Sequence, residues 1–394
     1  MKITGIVSEY NPFHFGHKFH IEQTKKNGAD YIIAVMSGNF VQRGECAAFE
    51  KHVRAKAALE NGVDLVVELP VPYASANAQT FARGAVYILN SLGCVDELSF
   101  GSESANIKAL TETANAVETP EFKKILSKKL EQGLSFAQAR ELSVREVLSD
   151  KADVLKTPND TLAVEYIGAL NRLKSSIEPF AVKRFGAAHD SKTKTAGYHS
   201  ASYIREKILK GSMAGELTPS DDLLALEIEK GRAPVQLKAL ETAILCRLRQ
   251  MVPLEIAKAP DISEGIENRI YNAVREATTL EELYDFAKTK RYSHARIRRI
   301  VLHSFLGITA QDNSLNPFYI RVLGMNNRGK DVLRIAREKA TLPIVMRAAD
   351  VFKLDSFATR AYEIECITTD IFALAMPKPQ PCGMEQRENV VLID

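Results

Sequence analysis

The sequence predicts an α/β fold in which a parallel sheet is covered by helices on both faces and continues into a mainly helical region. Three observations carry this expectation. Four short apolar runs fall within the first hundred residues, and helical segments separate them. The runs are rich in β-branched residues and apolar throughout, as buried parallel strands are. Beyond residue 211 such runs mostly vanish and helical periodicity dominates.

In chain order, residues 3–7 form the first strand, closed by Ser8 and Glu9. Residues 17–26 read as a helix that stops at Asn27-Gly28, a common C-terminal signal. The run YIIAVM (31–36) is the second strand, and a helix over 49–60 stops at Asn61-Gly62. DLVVEL (64–69) is the third strand, closed by Pro70 and Pro72, and a helix over 76–92 stops at Gly93. VDELSF (95–100) is the fourth strand. Residues 106–173 read as mostly helical, with a helix start at Pro158-Asn159-Asp160. PFAVKRF (179–185) returns to strand character, and a helix opens at Ser200 or Ser202. Segments 222–230, 234–250, 264–277, 280–287, 293–306, 329–339 and 343–352 read as helices, and residues 377–394 as an irregular tail. A boundary near residue 211 divides the chain into 1–210, the α/β half, and 211–394, a helical half.

Composition excludes several classes. Of 394 residues, 45% are apolar and 26% charged, the balance of a water-soluble globular chain rather than a disordered one. Five cysteines without a Cys-x-x-Cys pair argue against a zinc ribbon, a redox dithiol or a disulfide scaffold. No apolar stretch approaches a membrane span, and no signal-peptide core opens the chain, so the cytoplasm is the expected location. His52, His189, His294 and His303 form no metal-ligand spacing, and no protein-bound metal is expected.

The most informative segment is Ser8-Glu9-Tyr10-Asn11-Pro12-Phe13-His14-Phe15-Gly16-His17, between the first strand and the first helix. In parallel sheets ligands bind outside the carboxyl ends of strands. A helix N-terminus there offers free N–H groups and partial positive charge to phosphate. Gly16 lets a phosphate approach the backbone, and His14 and His17 can donate to its oxygens. This suits nucleotidyl transfer, in which charge accumulates on the α-phosphate oxygens as pyrophosphate leaves.

The tetrad His14-Phe15-Gly16-His17 resembles the HxGH motif of the nucleotidylyltransferase superfamily, whose sheet is Rossmann-like and of HUP type. The segments GIVSEYNPFHFGHKFHI, MSGNFVQRGECAAFEKHVRAKAAL and DLVVELPVPYASANAQTFARGAV resemble the tRNA(Met) cytidine acetate ligase family. So do TPNDTLAVEYI, KRFGAAHD, HSASYIREKI and TKRYSHARIRRIVLH. That resemblance implies activation of acetate by ATP as acetyl-adenylate, then acetylation of N4 of the wobble cytidine of elongator tRNA(Met). It implies an ATP loop of Val7, Ser8, Glu9, Tyr10, Asn11, Pro12, Phe13, His14, Phe15, Gly16, His17, Lys18, Phe19 and His20. Gly101, Asn159 and Arg184 would complete the nucleotide site. His14 and His17 would be catalytic, and Mg²⁺ would arrive with ATP.

Other candidates are weaker. Ser37, Gly38 and Arg43 follow the second strand and can serve phosphate or acetate. Ser202 and Arg205 resemble the Ser-x-Ser/Thr-x-x-Arg triphosphate element of nucleotidylyltransferases. The Lys-Met-Ser-Lys-Ser loop of class I synthetases is missing from the sequence, which argues against amino-acid charging. Residues 288–340 hold twelve Lys/Arg against three acids, a local balance of +9 in a chain of +3. Arg291, Arg296, Arg298 and Arg299 beside Tyr292 therefore read as a tRNA-binding face with a stacking ring. Two rivals stand beside this reading: an adenylyltransferase acting on a small phosphorylated metabolite, and a non-catalytic tRNA-binding protein.

Overall fold

A computed structural model describes residues 1–184, 199–212, 217–263 and 265–394. Its centre is an eight-stranded, mostly parallel sheet. The strands of the first half are β1 (Ile3–Ser8), β2 (Tyr31–Ser37), β5 (Leu65–Leu69), β6 (Glu97–Ser102) and β7 (Glu178–Lys183). They run parallel in the order β5-β2-β1-β6-β7. Between β2 and β5 a small antiparallel hairpin forms from β3 (Phe40–Val41) and β4 (Glu45–Cys46).

The expected strands of the first half are all present, with ends shifted by a residue or two. Helices α1 (Phe15–Lys26) and α2 (Lys51–Glu60) and the helix Ala78–Ser91 connect them. The apolar strand faces are buried on both sides: β2 and β5 are almost wholly enclosed. One cluster packs Ile33, Val35 and Val67 against the helices Ala78–Ser91 and Pro158–Leu173. Another packs Ile6, Ile32 and Ala34 against α1 and α2.

Three expectations need correction. The residue 211 boundary is not a boundary of the sheet. β8 (Ile320–Met325) pairs antiparallel with β5, and β9 (Ile344–Val345) and β10 (Val391–Leu392) pair with β8. The segment 343–352 therefore opens as a strand, with a short helix at Ala348–Val351. Residues 377–394 are not wholly irregular, since they supply a short helix, Met384–Arg387, and β10. The longest helix, Ser356–Leu374, was not among the expected segments, because polar Glu365, Thr368 and Thr369 interrupt its buried face.

The carboxyl ends of β1 and β6 are where successive connections leave in opposite directions across the sheet, β2 to one side and β7 to the other. Crevices at such switch points receive ligands in open parallel sheets. Among the described residues no helix is long and apolar enough to cross a membrane.

Candidate active site

One local device positions both motif histidines. His14 stands before α1 in extended backbone (φ −141°, ψ 172°), and its Nδ1 accepts from the N–H of Gly16 at 3.0 Å. Nδ1 of His17 in turn accepts from the N–H of His14 at 3.2 Å. Two imidazoles thus build the reciprocal cap that Ser and Glu usually supply. Their rings stack, with centroids 3.8 Å apart and 23° between planes. A Cβ on Gly16 would lie 2.8 Å from Cε1 of His14, so only glycine lets that ring fold over the helix start.

The cap decides the tautomer. A ring nitrogen that accepts carries no proton, so each neutral ring bears its proton on Nε2. Enclosure, then the charges of Arg184 and Arg205, lowers the His14 pKa to about 3. Enclosure, then His14, Arg184 and His20, holds His17 well below its ordinary value. His20 falls to about 4, from enclosure and then Arg184, and its Nε2 is 2.9 Å from Ser99 Oγ. At neutral pH the motif therefore offers N–H dipoles rather than imidazolium charge. No acidic residue occupies the first turn of α1, which leaves its positive end available to an anion.

These residues border a cavity of about 300 Å³ at the carboxyl ends of β1 and β6. Positive charge comes from its other walls, through Arg43, Arg184 and Arg205. Arg184 follows β7, and its backbone N–H extends the ladder to Ser102 O at 3.0 Å. Gly101 faces it: a Cβ there would meet Arg184 Cγ at 3.3 Å. Arg205 lies on the helix Ala201–Leu209, capped by Ser200, and donates to Asn11 O at 2.8 Å and Ser202 Oγ at 3.3 Å. Asn159 opens the helix Pro158–Leu173, and its amide donates to Glu103 Oε1 at 2.5 Å. Phe100 and Tyr166 give the cavity an apolar wall, with ring centroids 5.9 Å apart. Donors, guanidinium groups and an aromatic wall together suit a phosphorylated aromatic ligand.

Comparison with known proteins agrees. The model of the HIGH Nucleotidyl Transferase family matches residues 1–387. A tRNA(Met) cytidine acetate ligase of Acetivibrio thermocellus is 37% identical over 419 residues, covering 100% of both chains. One from Thermoanaerobacter sp. is 40% identical over 396 residues, covering 98% of each. The crystal structure of apo Thermotoga maritima TmcAL superposes with a TM-score of 0.95 at 33% identity, covering 100% of both chains. That of the same protein bound with alpha-thio ATP gives 0.92 at 33% identity, covering 100% of this chain and 99% of that one. The chain belongs to the tRNA(Met) cytidine acetate ligase family.

In this ligase the expected nucleotide residues divide into two groups. Val7, Ser8, Glu9, Tyr10, Asn11, His14, Gly16, His17, Phe19 and His20 border the cavity, as do Gly101, Asn159 and Arg184. Arg43, Ser202 and Arg205 border it too. Pro12, Phe13, Phe15 and Lys18 do not; Phe13 instead packs against Tyr10 and His17. Ser37 and Gly38 also lie outside the cavity wall. Their carbonyls accept from the guanidinium of Arg54, which also donates to Glu9 O and Phe49 O. Arg54 is fully buried and fastens the turns after β1 and β2 together. Sequence reasoning passed over it. The signal was there: Lys51, Arg54, Ala55 and Ala58 share one helical face, and two cations on an alanine-rich face call for buried partners. Of the segment KRFGAAHD, residues 185–190, His189 among them, lie outside the described residues.

Within the ligase's basic segment, Tyr292 and the arginines that follow it have partners inside the protein. Tyr292 is 7% exposed and packs in the core of the C-terminal helices, with the Arg296 guanidinium 5.4 Å from its ring centroid. Arg296 donates to Asp261 O at 2.9 Å, and Arg299 to Asp261 Oδ2 at 3.0 Å. Arg298 pairs with Glu45 on the hairpin at 2.8 Å. Arg321 is buried between Glu68 and Glu385, and Arg328 pairs with Asp64 at 3.1 Å. The +9 balance arose because these acids lie outside the counted window. Arg291 is exposed at an open groove beside Lys290 and donates to Leu130 O at 3.4 Å.

Proposed function

We propose that this ligase activates acetate with ATP, forming acetyl-adenylate and pyrophosphate, and acetylates N4 of the wobble cytidine of elongator tRNA(Met). The observation that carries the reading is the paired imidazole cap. It leaves two neutral Nε2–H donors and a helix N-terminus at the wall of a cavity that Arg43, Arg184 and Arg205 also border. Such donors stabilise charge that develops on the α-phosphate without reorganising at the moment of reaction. The family membership names the substrates, and the relative bound with alpha-thio ATP supports ATP as the nucleotide.

Acetate attacks the α-phosphorus in line with the departing pyrophosphate. The cytidine amine is a weak nucleophile, so a mixed anhydride is the acyl donor it requires. Arg184 and Arg205 would neutralise the phosphates, Gly101 would leave room beside the nucleotide, and Mg²⁺ would accompany ATP. The described residues contain no cluster of three or more His, Cys, Asp or Glu fit to hold a metal.

Incubation of the protein with ATP, acetate and tRNA(Met) tests the assignment. Pyrophosphate and N4-acetylcytidine should both appear, and acetyl-coenzyme A should not replace acetate. A dinucleotide product formed from a phosphorylated metabolite, without RNA acetylation, would favour the adenylyltransferase rival.

A further inference from the structure

Joining an amine to an acyl-adenylate releases a proton, and the three histidines at the start of α1 are poorly placed to take it. The N4–carbon bond forms, the bond from the acyl carbon to the AMP oxygen breaks, and AMP leaves with that electron pair. The amine must lose one proton. His14 and His17 present Nε2–H, and their Nδ1 atoms are occupied by the cap. His20 meets Ser99. Among the described residues bordering the cavity, only Glu9 and Glu45 carry carboxylates. Glu45 is held by Arg298.

Glu9 is placed differently. It follows β1 directly, and its main-chain carbonyl is fastened by Arg54. Its Oε1 accepts from the N–H of Gln42 at 2.9 Å, and Oε2 has no hydrogen-bond partner among the described residues. A carboxylate in a cavity meant for a triphosphate and acetate opposes the binding of both, so its presence calls for a chemical use. We propose that Glu9 accepts the proton lost by the cytidine amine as the amide bond forms. The inference rests on the acetyl-transfer reading above. Enclosure also raises the basicity of this carboxyl above the ordinary range. The Gln42 N–H and the charges of Arg205, Arg43 and Arg54 pull the other way, and the phenol of Tyr166 lies nearby. A more basic acceptor is the better one for an amine proton.

The variant Glu9→Gln keeps an oxygen for the Gln42 N–H but cannot accept a proton. Two measurements on the full chain separate the roles: acetate-dependent ATP–pyrophosphate exchange, and single-turnover transfer to tRNA from acetyl-adenylate formed beforehand on the enzyme. Transfer should fall by about 10²-fold, and exchange by at least about tenfold less. The wild-type transfer rate should climb with pH to a plateau as the carboxyl ionises, and the variant should lack that climb. Equal losses in both measurements, undiminished transfer, or an unchanged pH profile would each overturn the role of Glu9. A wild-type protein without acetate-dependent exchange would instead remove the functional reading on which it rests.

Discussion

His14 and His17 close the start of the first helix with one nitrogen of each ring, and the proposed reaction would use the other. Nδ1 closes the helix cap, and Nε2 is the nitrogen that the proposed mechanism turns to the substrate. Two outcomes follow at this scale. His14→Ala removes a donor to the developing charge, and acetate-dependent exchange should drop by at least about 10²-fold; survival of the rate would dismiss the assignment. Nitrogen-resolved NMR should find both rings neutral at pH 5, protonated on Nε2 and bare on Nδ1. Because the folded pKa of His14 lies near 3, below the ordinary 6.5, the neutral ring contributes stability in full above 6.5. That contribution is lost as pH falls toward the folded value. Imidazolium signals from these residues at pH 6 would contradict the cap geometry. The motif's place between the first strand and the first helix was legible in the sequence, and its residue types suit phosphate chemistry. The cap was not, since nothing in the letters says that a histidine rather than a hydroxyl terminates the helix.

The hairpin of β3 and β4 links the cavity to the C-terminal helices. Val41, Gln42, Arg43 and Glu45 border the cavity, while the turn between the strands rests on the helix His294–Leu306. Gly44 sits there at φ +74°, and a Cβ would come within 2.9 Å of the Arg298 carbonyl carbon and the Arg299 nitrogen. Backbone cannot yield as a side-chain tip can. Gly44→Ala should therefore separate hairpin from helix and lower adenylate formation by about tenfold, measured as exchange. Arg298→Ala should do much less. Its pair with Glu45 is 34% exposed on the arginine side and 42% on the glutamate side, and such pairs contribute less than about 1 kcal/mol. If the arginine variant is the more damaging of the two, the close packing is not what holds the hairpin. This linkage was invisible in sequence: two-residue strands carry no periodic signal, and the arginines of TKRYSHARIRRIVLH read as free charge until Asp261 and Glu45 were placed beside them.

At the scale of the whole molecule, the parallel half was readable because each of its strands is an apolar run punctuated by glycine or proline. The strand Ile320–Met325 was not. It carries Arg321 within an apolar run, and that charge is tolerated only because residues distant in sequence surround it. Arg321 lies 3.0 Å from Glu385, which receives Lys51 at 2.7 Å; Lys51 also reaches Glu68 at 2.6 Å. Glu365 borders the cluster and accepts from the Val71 N–H at 2.6 Å; burial, then the neighbouring Glu68, holds its pKa well above the ordinary range. Removing one partner strands the others, so Lys51→Met should cost about 3–5 kcal/mol in urea denaturation. A loss under 1 kcal/mol would mean that the cluster is dispensable. Glu385 and β10 both come from the final dozen residues. A chain still lacking them therefore has unmatched charges beneath its sheet and an open border along β8. During synthesis, the crevice beside residues 7–20 has to wait for residues 385–392 before the sheet behind it is complete. Fragments ending near residue 210 should accordingly be recovered as aggregates rather than as a working adenylating unit.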